Sequence, residues 1–432
     1  HPPENKLTSM KPIKRLPVPK VVYVPVSQHI GIPAEIIVDR KDKVEIGQVI
    51  AKSGGFVSSN IHAPVAGTVT KLDKIVDTRG YKQQCIVIRT DPKNQANFQE
   101  VDLPLLKEIS LEPQEILERI SDFGIVGLGG ATFPSHVKLN IKKDKKLDCL
   151  IINGVECEPY LTADHRLMLE KGEEILVGIR ILMRALHVER AIIGIENNKR
   201  DAIENFKTLA SNDPGIQIAA LKVKYPQGGE KQLVRALLKR EVPKNGLPLD
   251  VGVVVHNVGT IFAIYQAVQH NRPLMERVVT VTGKKLQDPS NFWVKIGTPI
   301  SDLVEAVGGI PEGTRKIVSG GPMMGRALKS TDVPVTKGTS GILVISEDEA
   351  SRGTPKNCIR CGECVDVCPM GLEPHLLMNL SEKGMYEKAA QEDIMTCIEC
   401  GSCSYVCPSH RPLLDYIRFG KSIAKQLESN KG

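Results

Sequence analysis

The spacing of hydrophobic and polar positions changes several times along the chain, and each change predicts a different architecture. From Val21 to Thr90, short β-branched runs (Val21–Val24, Glu35–Val38, Gln48–Ala51, Gly67–Leu72 and Cys85–Arg89) are separated by Gly and Pro turns, which predicts a small all-β unit. The period then lengthens. A helical Glu115–Phe123 stops at Gly124, and Asp148–Asn153 (strand), Glu173–Leu186 (helix), Ala191–Glu196 (strand), Arg200–Leu209 (helix) and Ile216–Val223 (strand) follow in alternation. Such alternation predicts an α/β unit on a mostly parallel sheet. The apolar run from Val251 to Val268 is broken by His256, Asn257, Gly259, Thr260 and Gln266, so it reads as a buried strand entering a helix and is too interrupted to span a bilayer. Residues 276–345 return to β-rich text, with strands at Arg277–Thr282 and Gly341–Ser346 around a helical Pro299–Val307. Gly308, Gly320, Gly325 and Gly338 mark tight turns there. Finally, Leu376, Leu377, Leu380, Met385, Ala389 and Ala390 gather on one side at helical spacing, with a break near Gly384.

At 432 residues the chain exceeds one ordinary domain. The changes of pattern divide it into an extended Pro- and Lys-rich arm (1–20), a β unit (21–112), the α/β unit (113–275), the second β-rich module (276–345) and a helical segment (346–432). Hydrophobic content of 41% and charged content of 25% are those of a soluble globular protein. The net charge of +7 is spread along the chain and few aromatics accompany it, so no nucleic-acid partner is expected. The chain starts at His1, which leaves open a targeting segment ahead of it.

Cysteine usage changes the picture most. Eight of the eleven cysteines form two copies of one run: Cys358, Cys361, Cys364 and Cys368 followed by Pro369, and Cys397, Cys400, Cys403 and Cys407 followed by Pro408. This is the ligand spacing of paired bacterial-type [4Fe–4S] clusters, in which the fourth cysteine of each run serves the other cluster. Cys358, Cys361, Cys364 and Cys407 are expected to hold the first cluster, and Cys397, Cys400, Cys403 and Cys368 the second. Gly362 and Gly401 supply the positive φ that a loop wrapped round a cluster needs. Zinc sites pair C-x-x-C units instead, and disulfides do not suit a chain of this kind. Iron–sulfur ligation argues for a reducing compartment. The α/β unit also opens on a glycine-rich loop, Gly127-Leu128-Gly129-Gly130, able to present backbone N–H groups to a phosphate; by itself it is equally a flexible turn.

Two resemblances follow from longer phrases. Val44–Ile50 and Ile61–Val69 resemble lipoyl or biotinyl carrier domains, which implies a barrel-sandwich hybrid fold. The Ala51–Asn60 stretch lacks a lysine at a hairpin tip, so the fold is expected without the carrier function. The phrases Gly127–Lys138, Asn153–Pro159, Tyr225–Glu230 and His256–Thr260 occur in the order seen in the FMN- and NADH-binding subunit of respiratory complex I. With the flanking modules, nearly the whole chain resembles the RnfC family, peripheral subunits of the Rnf ion-translocating electron transport complex.

That resemblance implies a multidomain α/β plus β protein: a barrel-sandwich hybrid, a Rossmann-like FMN/NADH domain, a β-grasp (SLBB) module and a helical ferredoxin with two clusters. It implies FMN held by Gly127, Gly129, Gly130, Lys138, Asn153, Asn257 and Thr260. Phe133 would stack on NAD(H), and Glu158 and Glu230 would receive it. Val155, Gly229 and His256 depart from the complex I residues. The implied activity is NADH:ferredoxin oxidoreduction coupled to ion translocation, with no catalytic acid or base needed for hydride transfer. The implied partners are NADH, Rnf-type membrane subunits, an iron–sulfur subunit and, indirectly, ferredoxin, and the implied location is the cytoplasmic face of the bacterial membrane. A cobalamin reductase of bacterial microcompartments and a non-catalytic electron-wire subunit are the alternatives.

Overall fold

The computed structural model describes residues 2–94, 103–141, 145–350 and 353–429. Strands Ile216–Leu221, Ala191–Glu196, Cys149–Gly154 and Val253–Asn257 lie side by side in that order, all parallel. Every residue of Ala191–Glu196 is buried, as expected of a central parallel strand covered on both faces. One face packs on helices Pro113–Asp122, Gly172–Leu186, Arg200–Leu209 and Val258–His270. The other is covered by Glu230–Leu238, whose Leu233 and Val234 meet Cys149, Ile151 and Val255.

The strand order places a switch in winding direction beside Cys149–Gly154. From there the chain winds to Ala191–Glu196 and Ile216–Leu221, then jumps back to Val253–Asn257 on the opposite side. The carboxyl ends at such a switch point leave a crevice. Asn153 and Asn257 are register partners there.

The N-terminal unit pairs a four-stranded sheet (Val21–Pro25, Lys82–Thr90, Gly67–Val76, Lys43–Val44) with a three-stranded one (Glu35–Ile36, Val49–Lys52, Ile61–His62). Its own core includes Val22, Val24, Ile50, Ile61, Val69, Ile86 and Ile88, so it is the expected barrel-sandwich. Cys85 is buried in it, and desolvation pushes its thiol up to about 12; it is a packed side chain.

A six-stranded mixed sheet follows. Glu276–Thr282, Ser290–Lys295, Thr314–Ser319, Arg326–Ala327 and Gly341–Ser346 are joined at one edge by Lys14–Arg15. The arm is therefore stitched down and not free: Lys11 and Lys14 pair with Asp288 at 2.9 and 2.5 Å, and Arg15 lies 3.5 Å from buried Glu276. The C-terminal segment is helical, with Pro374–Glu382, Tyr386–Gln391 and Leu413–Ser429 around one core. Gly384 breaks the first two at φ +70°. No helix among the described residues is long and apolar enough to cross a membrane.

Candidate functional site

At the crevice, helix Val258–His270 begins on Asn257, whose side chain accepts the Gly259 N–H at 2.8 Å and donates to Asp164 Oδ2 at 2.6 Å. Thr260 is buried one turn on and accepts the Leu128 N–H at 2.9 Å. The glycine loop is thus docked on this helix N-terminus. Gly127 N–H bonds the Phe133 carbonyl at 2.9 Å and closes the loop, while Gly129, Gly130 and Ala131 are exposed at its tip. A Cβ on Gly129 would lie 2.7–2.8 Å from the Asn257 side chain, whereas one on Gly130 would meet nothing within 4 Å. The two glycines do different jobs: Gly129 permits close approach to Asn257, and Gly130 leaves the mouth open. Phe133 is half-buried beside them.

Lys138, from the short helix Ser135–Leu139, reaches the same crevice. Its Nζ donates to the Val255 carbonyl at 2.6 Å and pairs with Glu230. Asn153 donates to the Gly228 carbonyl at 2.9 Å. The two expected cofactor loops are therefore linked to each other at this point. Glu158 sits at the far end of the loop that Asn153 begins. Its carboxylate accepts the N–H groups of Met323 and Met324 at 3.1 and 2.7 Å, and desolvation raises its pKa. His256 is buried, with Nε2 unpartnered among the described residues, and desolvation holds it neutral.

Several residues not singled out from the sequence complete the site. Glu156, at φ +46°, accepts the Asp164 and His165 N–H groups and so caps helix Ala163–Glu170. Asp164 is pushed up to about 7 by desolvation and by neighbouring Glu156. Buried Arg277 donates to the carbonyls of Lys337 and Leu128, which ties the glycine loop to the six-stranded sheet. Lys337 in turn donates to the Asn60 and Gly124 carbonyls at 2.8 and 2.7 Å and fastens the barrel-sandwich beside that loop. With no carboxylate among the described residues bonded to it, burial takes its pKa down to about 7. Only Glu156 lay within a recognised phrase; the others become visible once the chain is folded.

Cys368, Cys397, Cys400 and Cys403 line one cavity with Leu372, Leu377 and Ile417. Cys364 is within electrostatic reach of Cys358, Cys361 and Cys407. Among the described residues no three acidic, His or Cys side chains close on a point as for a single ion; Cys368, Cys397, Cys400 and Cys403 line a common space instead, which suits a four-iron cubane. Gly362 and Gly401 have φ of +83° and +78°. The N–H groups of Glu399 and Leu372 point at Cys397 and Cys368 sulfurs, 3.4 Å away in each case.

Comparison with known proteins decides the family. The chain is 47% identical, over 98% of its length and 92% of the relative's, to a subunit of the proton-translocating ferredoxin:NAD(+) oxidoreductase complex of Clostridium ljungdahlii. It belongs to the RnfC family. Two further RnfC relatives come from the Na(+)-translocating ferredoxin:NAD(+) oxidoreductase complex of Acetobacterium woodii (42%, 100% of this chain, 97% of the relative) and from the ion-translocating oxidoreductase complex of Rhodobacter capsulatus (44%, 100% and 83%). Residues 1–93 match the RnfC barrel sandwich hybrid domain, 120–266 the Nuo51 FMN-binding domain, 278–327 the SLBB domain and 350–408 the 4Fe-4S dicluster domain. The fold is shared with a chain of an NAD+-reducing [NiFe]-hydrogenase (TM-score 0.51, 19% identity, 74% of this chain and 63% of that one). This RnfC chain thus combines an FMN-binding domain with two [4Fe–4S] sites. The resident groups fit what is present: two runs of four thiols, with Cys368 lining one cavity beside Cys397, Cys400 and Cys403, and a helix N-terminus at a switch point beneath a glycine loop.

Proposed function

We propose that the chain is the NADH-side subunit of an ion-translocating ferredoxin:NAD(+) oxidoreductase, held at the cytoplasmic face of the membrane by partner subunits, including an iron–sulfur one. When bound, FMN supplies two-electron exchange with nicotinamide and one-electron exchange with iron, and each [4Fe–4S] cluster carries one electron. The protein's part is to bind, orient and insulate. Gly127, Gly129 and Gly130 give backbone access, with the N-terminus of Val258–His270 and the Lys138 ammonium favouring a phosphate. Asn153, Asn257 and Thr260 hold the loops that frame the ring. Phe133, at the half-exposed mouth, offers a stacking face for the nicotinamide nucleotide, and Glu230, paired with Lys138, is the other candidate contact. Glu158 is turned away and braces the Met323–Met324 loop, so its part in receiving NAD(H) is through that brace.

The observation that carries this reading is the joint between crevice and cluster cavity. Tyr225, in the loop that also holds Gly228 and Glu230, donates its buried hydroxyl to the Cys400 carbonyl at 2.6 Å. Gln232 adds a bond to the Pro369 carbonyl at 3.3 Å. The buried cysteine set thus abuts the flavin crevice, and the exposed Cys358 and Cys361 face outward toward a partner. The test is anaerobic. The purified chain should hold about eight irons and one flavin, and NADH should bleach first the flavin and then the clusters. Clusters reducible by dithionite yet indifferent to NADH would leave only the electron-wire reading standing.

A further inference from the structure

The N-terminal arm meets the crevice through one side chain. Lys6 Nζ donates to three carbonyls of a single loop: Glu156 at 2.8 Å, Glu158 at 2.8 Å and Leu161 at 2.7 Å. The flanking contacts are of the same kind. The Asn5 N–H bonds the Pro159 carbonyl at 3.0 Å, and buried Thr8 and Thr162 share a hydroxyl contact at 2.5 Å. From the other side buried Lys199 donates to the Val155 carbonyl at 2.7 Å. Two amines therefore grip the loop that runs on from Asn153, whose Glu156 stands in left-handed backbone. Such a conformation persists in a non-glycine residue only where its surroundings enforce it.

Three carbonyls can only accept, so all three Lys6 donors are needed and the amine is an ammonium. Burial lowers its pKa and Glu156 opposes that by attraction; Lys199, Glu196, Glu4 and Glu158 are the other charged groups near it. In a trans peptide the N–H points opposite the C=O. Gripping the Val155 and Glu156 carbonyls therefore turns the Glu156 and Cys157 N–H groups away from the lysines. Successive N–H groups around a left-handed residue form a concavity that favours negative charge.

We infer that Lys6 is a positioning residue for flavin binding: the arm clamps the Val155–Leu161 loop so that its N–H groups face the crevice, with the lysine charge behind them. This inference rests on the FMN reading. It predicts that the arm matters to the flavin and not to the iron, because among the described residues the bonds of Lys6, Lys11 and Lys14 reach no cysteine of either run.

The test compares full-length wild type, Lys6→Met and a control, Lys14→Ala, which loosens the arm at Asp288 and leaves the loop alone. FMN affinity is measured by fluorescence quenching on the cluster-loaded chain, iron is counted, and the flavin midpoint potential is read by titration. Lys6→Met should bind FMN roughly tenfold more weakly, the scale of losing bonds to a charged donor. Its potential should fall, because a positive charge that favours the reduced, more anionic ring is gone. Iron should stay at the wild-type level, and Lys14→Ala should match wild type throughout. Where Lys6→Met yields too little folded chain, Lys6→Gln, which removes the charge and keeps two donors, carries the same test. Unchanged affinity and potential would overturn the inference, as would loss of FMN and iron in proportion, which is general destabilisation. A wild-type chain that takes up no FMN would sink the flavin reading and this inference with it.

Discussion

The two cysteine runs are identical in spacing, and the fold gives them opposite surroundings. Cys400 and Cys403 are buried, while Cys358 and Cys361 are exposed, as is Ile359 between them. Around the buried set, Tyr225, Gln232, Lys421 and Arg418 all bond to nearby backbone: Lys421 to the Cys397 carbonyl at 2.6 Å and Arg418 to that of Met324 at 2.7 Å. Gly401 approaches so closely that a Cβ there would be 2.7 Å from the Met323 carbonyl. The same ligand pattern is therefore built into an internal joint at one end and left at the surface at the other. Spacing encodes which metal group is bound; what packs on the loop decides whether that end is enclosed or open.

Breaking the pairing itself should have the largest effect. Cys403→Ser and Cys368→Ser should each lower iron from about eight to about four per chain, with loss of the same cluster signal in low-temperature EPR. Cys407→Ser should remove the other signal. Matching losses from Cys368→Ser and Cys364→Ser, neighbours in sequence, would refute the crossover.

Gly129→Val should remove most of the flavin and leave the iron. Its side chain would strike Asn257, which is fixed by Gly259 and Asp164, so the loop must lift off the helix N-terminus. The flavin-to-iron ratio reads this directly, and a variant retaining full flavin would show that the loop is not part of the cradle.

Tyr225→Phe sharpens the contrast between the two ends. It leaves the buried Cys400 carbonyl without its donor at a cost of about 1–3 kcal/mol, which should appear as a lower unfolding midpoint and a shifted potential for the buried cluster alone. The exposed cluster should be unmoved.

The smallest effect concerns pH. The Asp164 carboxyl titrates near 7 in the folded chain, chiefly through desolvation, against an ordinary value of 3.8. Between these values the folded form holds a proton that the unfolded form has released, so this group makes stability fall as pH rises from about 4 to 7, with no further loss above. Asp164→Asn should flatten that part of the denaturation profile. An unchanged slope would place the carboxyl in an ordinary environment.

Much of the fold was legible because local and long-range preferences agree. Strand Ala191–Glu196 and helix Arg200–Leu209 have the predicted ends; one is apolar from Ala191 to Ile195, the other a clean amphipathic period. Strand Ser290–Lys295 was not foreseen. It begins with Ser290 and Asn291, and Asn291 is tolerable inside only because Thr280 and Thr162 donate to it while it donates to the Thr8 carbonyl. Lys14–Arg15 is too short and charged to announce itself; it is a strand because an edge was free to receive it. At the site, residue types were readable and pairings were not. Lys138 with Glu230 and Tyr225 with Cys400 join positions 92 and 175 residues apart, and no local pattern carries such a separation.

The joint between Tyr225 and Cys400 also bears on timing. Donor and acceptor domains that are bolted together exchange electrons across a fixed gap, so that step has no encounter to wait for and should be indifferent to the thickness of the medium. For the chain purified without partner subunits, departure from the exposed end is different in kind, because it requires a second body to arrive. In glycerol or sucrose the internal transfer should keep its pace while the handover slows, and the throughput of the whole chain would then be set at Cys358 and Cys361, the end that the fold leaves uncovered.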